Sequence, residues 1–225
     1  VGPGDKLCFA DKDHSYAGFY DSVLVEGNPL VVLEDLARQV ADKGIREIQG
    51  DIVVDDGLFR ETEDEFVGNF SAACVNDNLV DVVVRPGEKP GDPVGWELLP
   101  KAAFIRVRST AATGQAGSST TIWLEPGEGP ATPGDRTASF VLKGTIPAGS
   151  RPILRVAAFR EPAVAAAGFL AEALAAAGVE VRGGPRREKA GPVQYGYLEG
   201  VARHVSPPFS EALRVILKVS QNLHA

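Results

Sequence analysis

The feature that most limits what this chain can fold into is its succession of strand-forming segments. SVLVEG (22–27), GDIVVDD (50–56), NLVDVVVRPG (78–87), AFIRVRS (103–109), STTIWLEPG (119–127), RTASFVLKGTI (136–146) and PILRVAAF (152–159) are rich in β-branched residues, and turn formers bound most of them. Alternation is clear between Phe104, Arg106 and Arg108 on one side and Ile105 and Val107 on the other, which predicts one polar and one apolar face. Pro-Gly pairs at 86–87 and 126–127, and Thr132-Pro133-Gly134, punctuate the run. With 25 glycines and 16 prolines the chain is predicted to be β-rich in its middle and not a helical bundle.

Three helical segments frame that middle. LEDLARQVADKG (33–44) precedes it, and EPAVAAAGFLAEALAAAG (161–178) follows it, with Pro162 in the first turn where its missing N–H costs little. The third, SPPFSEALRVILKVS (206–220), has Ser206 and Ser210 as competing N-caps. The first two repeat one another: LARQVADKGI (36–45) aligns without a gap on LAEALAAAGV (170–179). Each is expected to end at its glycine, Gly44 or Gly178, where a left-handed residue costs least. Each then enters a short apolar stretch closed by a second glycine, Gly50 or Gly183. The repeat is either a common helix–Gly–strand unit or a duplicated supersecondary element.

The 225 residues suffice for one large domain or two small ones. A formal net charge of -7 argues against a nucleic-acid partner, which needs clustered Lys and Arg. No apolar run approaches the ~18 residues of a membrane span. VGPGDKLCFA at the start lacks the charged and apolar regions of a signal peptide, and the chain contains no Met. Cys8 and Cys74 are compatible with a disulfide or, more in keeping with their spacing, two unrelated thiols.

Motifs with chemistry are sparse. HExxH, GxSxG and GxxxxGK[ST] do not occur. His14, His204 and His224 are scattered without metal-ligand spacing, and nothing points to a cofactor. GEGPATPG (127–134) lacks the dinucleotide spacing and reads as a loop, and Asp51, Asp55 and Asp56 read as a solvated turn rather than a metal site. What remains is Ser220-Gln221-Asn222, behind the apolar run of the third helix and three residues before the last residue, Ala225. Off a regular helix, a hydroxyl and an amide two positions apart can face one cleft. The hydroxyl relays a proton, and the amide donates to a carbonyl and accepts from an N–H.

In its surroundings this triplet carries a resemblance. SPPFSEALRVILKVSQNLHA resembles the stretch bearing the second active-site motif, S-x-N, of the class C low-molecular-mass penicillin-binding proteins, which are D-alanyl-D-alanine carboxypeptidases/endopeptidases. DLARQVADKGIREIQGDIVVDDGLF (35–59) resembles the opening of that family's inserted region. NDNLVDVVVRPGEKPGDPV (76–94) resembles its following N-x-N and Pro-Gly stretch, and EPAVAAAGFLAEALAAAGVEVRGGP (161–185) its late helix and strand. The resemblance implies an α/β (α+β) fold: part of a penicillin-binding-protein catalytic domain carrying nested β-rich inserted domains. It implies that residues 1–20 end the first catalytic segment, that 21–190 are inserted, and that 191–225 return to the catalytic domain.

The implied activity is serine-type cleavage of peptidoglycan stem peptides ending in D-Ala-D-Ala, with β-lactams as inhibitors, in the periplasm or outside the cell. The family uses S-x-x-K, S-x-N and K-[TS]-G. Only the middle motif occurs here, on Ser220 and Asn222; no serine has a lysine three residues on, and Lys143-Gly144-Thr145 has the wrong order. Lys218 is a neighbour of the serine rather than a general base. The expectation is therefore a piece of a larger enzyme, inactive as it stands. The alternative is a non-catalytic cell-wall binding or structural module derived from that family.

Overall fold

A computed structural model describes residues 27–57, 62–64, 68–128, 137–188, 193–211, 213 and 217. Helix α1 (Val31–Asp42) leads into the short strands β1 (Glu47–Ile48) and β2 (Ile52–Val54), followed by the hairpin of β3 (Thr62–Asp64) and β4 (Gly68–Phe70). A β-rich stretch then holds β5 (Leu79–Arg85), β6 (Gly95–Leu99), β7 (Ile105–Ser109), β8 (Ala112–Gly114), β9 (Trp123–Pro126), β10 (Ala138–Lys143), β11 (Thr145–Pro147) and β12 (Ile153–Ala158). Helix α2 (Pro162–Ala176) and strands β13 (Glu180–Val181) and β14 (Pro185–Arg187) complete it.

The two helix–strand repeats meet in space. Parallel pairing sets Glu47 against Glu180 and Ile48 against Val181, then Ile52 through Val54 against Pro185 through Arg187. Backbone hydrogen bonds from Glu180 N to Arg46 O (2.9 Å), Arg182 N to Ile48 O (2.9 Å), Gly183 N to Gly50 O (3.1 Å) and Glu188 N to Val54 O (2.8 Å) carry the ladder across the break. The closing glycines face each other here: a Cβ on Gly183 would lie 2.4 Å from Gly50 O, so only glycine fits at that contact. Gly44 (φ +83°) and Gly178 (φ +82°) both take the left-handed conformation that ends a helix, as expected from their positions. Helix α2 packs on α1 and over β2, β13 and β14. Its apolar residues are not confined to one stripe, because it is enclosed: Ala163, Ala167, Phe169 and Leu174 are all buried.

The stretch between the repeats forms its own layers. β5 lies between β12 and β6, antiparallel to both, with Val80, Val82 and Val84 fully buried. β10 lies between β7 (parallel) and β9 (antiparallel), and β11 pairs with β8. RTASFVLKGTI, read as one strand, is two: Gly144 at φ +100° separates β10 from β11. The end of the β5–β12 ladder is closed by Asn76-Asp77-Asn78, three consecutive left-handed residues (φ 52°, 53° and 62°) of the types that tolerate that region best. Asn76 Nδ2 donates to Leu79 O (2.9 Å) and Asp81 Oδ2 (2.8 Å), and Asn78 Nδ2 to Phe159 O (3.0 Å).

Aromatic rings join the layers to α2. Phe169 meets Phe104 edge-on (4.9 Å) and Phe159 (5.9 Å), and Phe159 meets Phe140 (5.6 Å). Glu172 Oε1 accepts from Ala103 N (2.7 Å) and Phe104 N (3.1 Å), fixing the entry to β7 on the helix. The proposed strand at 22–27 falls almost wholly outside the described residues, as does Cys8; Cys74 is a free thiol.

Gly183→Ala is expected to lower unfolding free energy by roughly 1–3 kcal/mol, because backbone must move to admit the methyl group. Gly184→Ala, whose Cβ would meet nothing within 4 Å, serves as the control. Urea titration of the two variants gives the comparison, and equal stabilities would contradict the close-approach argument.

Candidate active-site approach

Ser220 and Asn222, with Lys218, lie outside the described residues; Leu217, three positions before Ser220, is the last described position. The geometry leading to them is visible. Residues 209–211, 213 and 217 are helical. The helix starts at Phe209, three residues beyond Ser206, because Ser206 and Pro207 each precede a proline, which disfavours helical dihedrals. Ser210 is inside the helix rather than capping it.

Two long-range contacts hold the segment that feeds this helix. The Tyr195 hydroxyl donates a short hydrogen bond to Asp55 Oδ2, just past β2. Gln39 on α1 binds the backbone at Arg203 twice: its Nε2 donates to Arg203 O (3.1 Å), and its Oε1 accepts from Arg203 N (3.0 Å). The segment after β14 is thus tied to the helix–strand repeat at the β2 end and at α1. None of Gln39, Tyr195 or Arg203 was singled out by sequence reasoning. Their contacts span 140 and 164 positions, and no local pattern signals them.

Beyond these ties the segment presents apolar side chains to solvent. Phe209 is 71% exposed, Leu213 40% and Leu217 74%; at i, i+4 and i+8 they line one helix face. A short helix needs such a face to pack against something, because isolated short helices are marginal in water.

The aspartates near β2 have structural partners. Asp51 binds Arg186 Nε (2.9 Å) and Gly184 N (3.0 Å) across the parallel ladder. Asp55 accepts from Gly57 N (2.9 Å) as well as from Tyr195. Asp56 departs from the expected solvated turn: it is buried, accepting from Ser71 Oγ (2.7 Å) and Arg187 Nε (2.7 Å). A buried carboxylate needs such partners, and this one clamps the β2–β14 end to the chain after β4. Cys74 donates its thiol to Ser71 O (3.1 Å), and burial pushes the thiol pKa up, so it is poorly suited to act as a nucleophile. Among the described residues no group of three His, Cys, Asp or Glu side chains is arranged to hold a metal ion. His204 is exposed, and His14 and His224 lie outside the described residues.

The Tyr195–Asp55 contact is pH-sensitive at both ends. The phenol's hydrogen bond holds the Asp55 carboxyl below its usual range, with Gly57 N–H adding to it. The same bond raises the Tyr195 phenol, with desolvation adding to it. Asp55, lowered in the fold, contributes above the usual carboxyl range and loses its contribution as pH falls through its folded value. Tyr195, raised in the fold, contributes below the usual phenol range and loses its contribution as pH climbs through its folded value. The tie is therefore closed across neutral pH and opens toward either extreme.

Comparison with known proteins puts this geometry in context. A sequence model described as the D-Ala-D-Ala carboxypeptidase 3 (S13) family matches residues 6–225. A D-alanyl-D-alanine carboxypeptidase from an Actinomadura species is 29% identical over 219 residues, which is 88% of this chain and 39% of that protein. The chain thus spans well under half the length of that relative. Two crystal structures of penicillin binding protein 4 from Haemophilus influenzae share the fold at 19% identity. The one complexed with a β-lactam has a TM-score of 0.62, covering 87% of this chain and 41% of its own. The other has a TM-score of 0.65, covering 86% and 43%.

Residues 193–211 are expected to exchange amide hydrogens much faster than β5, and Tyr195→Phe to accelerate exchange at 193–198 at neutral pH while leaving β5 unchanged. Mass-spectrometric hydrogen exchange measures both. Protection of 193–211 equal to that of β5 would contradict the tethered-segment description.

Proposed function

Because the chain belongs to the D-Ala-D-Ala carboxypeptidase 3 (S13) family, we propose that it is part of a serine D-alanyl-D-alanine carboxypeptidase/endopeptidase acting on peptidoglycan stem peptides in the cell envelope. The observation that carries this reading is the family match over residues 6–225; within that span Ser220-Gln221-Asn222 has the form S-x-N. The nucleophile and its lysine are supplied by the whole protein outside these residues, since no S-x-x-K occurs within them.

In the reaction the nucleophilic serine attacks the carbonyl of the penultimate D-Ala, and backbone N–H groups stabilise the tetrahedral oxyanion. The bond to the terminal D-Ala nitrogen breaks, the departing amine takes a proton, and water hydrolyses the ester. Ser220 serves in the proton relay between nucleophile and leaving amine. The Asn222 amide donates to the substrate carbonyl and accepts from its N–H. A β-lactam follows the first half of this path: its ring amide opens onto the serine and leaves an acyl-enzyme. The apolar face of Phe209, Leu213 and Leu217 supports a role for this helix in seating the motif against the rest of a catalytic domain. On this reading 1–20 end its first segment, 21–190 are inserted and 191–225 return to it.

The 225-residue chain is expected to form no covalent penicillin adduct, whereas the full-length protein forms one. Intact mass spectrometry reads both, and an adduct on the 225-residue chain would overturn the assignment of the nucleophile. In the full-length protein, Ser220→Ala is expected to reduce hydrolysis of a D-Ala-D-Ala peptide by about 10²–10⁴-fold, the usual weight of a proton-transfer group. Unchanged kcat/KM in Ser220→Ala would remove Ser220 from the mechanism.

A further inference from the structure

The outward face of the β7–β10–β9 sheet carries side chains that the fold does not use. Its inward face is the core side, with Ile105, Phe140, Leu142 and Leu124 buried. Register puts Arg106 beside Ser139, then Arg108 beside Val141 and Val141 beside Glu125, then Lys143 beside Trp123, all on the opposite face. Trp123 is 63% exposed, against the strong tendency of tryptophan to be largely covered. Lys143 is held by Glu125 (2.6 Å). Arg106 and Arg108 are exposed, and no ion pair holds either among the described residues, although the chain as a whole is acidic at -7.

The dimensions define what such a face takes. Three strands about 4.8 Å apart and a step of two residues along each strand place Trp123 roughly 12 Å from Arg108, Cα to Cα, with Arg106 one further step of about 7 Å along the same edge. Between them the surface is formed by Ser139, Val141 and the ion-paired Glu125 and Lys143. This combination suits an extended ligand with flat, apolar ring faces and carboxylates a ring or two apart. An indole accepts the C–H face of a pyranose. A guanidinium accepts a carboxylate in bidentate fashion, and the charge-assisted bonds are the strong ones. A nucleic acid backbone would need a longer run of Lys and Arg than Arg106, Arg108 and the ion-paired Lys143 supply. A protein partner would be expected to bury an apolar centre, which this face lacks.

We propose that this sheet face binds an acidic glycan strand, with a sugar ring on Trp123 and strand or stem-peptide carboxylates on Arg106 and Arg108. The choice of peptidoglycan as that strand rests on the proposed function; the chemistry of the face does not. The site would hold the polymer on the β-rich part of the chain, away from the S-x-N segment, so that recognition of the strand and cleavage of a stem peptide are separate properties.

The test uses the full-length protein and peptidoglycan sacculi stripped of covalently attached anionic polymers. Wild type is expected to co-sediment with sacculi and to do so less at high salt. Arg106→Gln/Arg108→Gln and, separately, Trp123→Ala are each expected to weaken binding about tenfold. Hydrolysis of a small soluble D-Ala-D-Ala peptide should be unchanged by either, which also reports that the variants are folded. Undiminished binding by both variants overturns the proposal. Loss with the arginine pair but not with Trp123→Ala overturns the sugar-stacking assignment, leaving a charge-only surface. No sedimentation of wild type with intact peptide hydrolysis defeats this site and leaves the proposed function standing. Arginine- and tryptophan-dependent sedimentation without peptide hydrolysis keeps the site and defeats the proposed function.

Discussion

The architecture depends on one parallel contact, the pairing of residues 46–54 with residues 180–188. It joins two stretches more than 130 positions apart and closes everything between them into a loop that must fold on its own terms. The entropic cost of closing a loop rises only slowly with its length, so a large β-rich stretch can be enclosed this way with little added penalty. The strands themselves are two and three residues long, too short to hold by their hydrogen bonds alone. What secures them is α2, an enclosed helix that packs on α1 and covers β2, β13 and β14. The exposed pairs Arg186–Asp51 and Arg182–Glu47 add register more than strength, since exposed ion pairs contribute ~0–1 kcal/mol.

That arrangement also fixes where the segment after β14 starts. The ladder ends at Glu188 N on Val54 O, and the Tyr195 hydroxyl reaches Asp55, the next residue of the same strand end. Gln39 then catches the backbone at Arg203 from α1. The helix–strand unit thus has two sides with different contacts: α2 faces the β layers through the phenylalanine cluster, and α1 with the β2 end faces the segment that leads toward Ser220. A helix carrying Phe209, Leu213 and Leu217 outward is a poorly supported element by itself, and burial of such side chains is worth roughly 1.5–3 kcal/mol each where a partner surface exists.

Much of the fold was legible from local pattern. β2, β5, β7, β9, β10 and β12 all fall within segments marked by β-branched residues, and the two main helices end at the glycines chosen for them. The two copies of the helix–glycine–strand repeat are paired in parallel register, a contact that the local pattern of neither copy signals. β6 escaped because GWELL has no alternation and little β-branching. β14 escaped because a three-residue strand exists only through its partner. The Ser71–Asp56–Arg187 clamp escaped for the same reason: each residue is ordinary in its own neighbourhood, and only tertiary contact buries the carboxylate. The reading of Ser220 and Asn222 as an S-x-N motif rests on resemblance, since a serine and an asparagine two apart carry almost no signal alone.

The central claim is that Ser220 and Asn222 belong to a serine peptidase cleft assembled by the whole protein. A crystal structure of the full-length protein acylated by a β-lactam tests it most directly. The account predicts Ser220 Oγ within hydrogen-bond reach of the acylated serine or its lysine, and the Asn222 amide against the carbonyl side chain of the bound drug. Finding both residues on a surface remote from the acylated serine would contradict it.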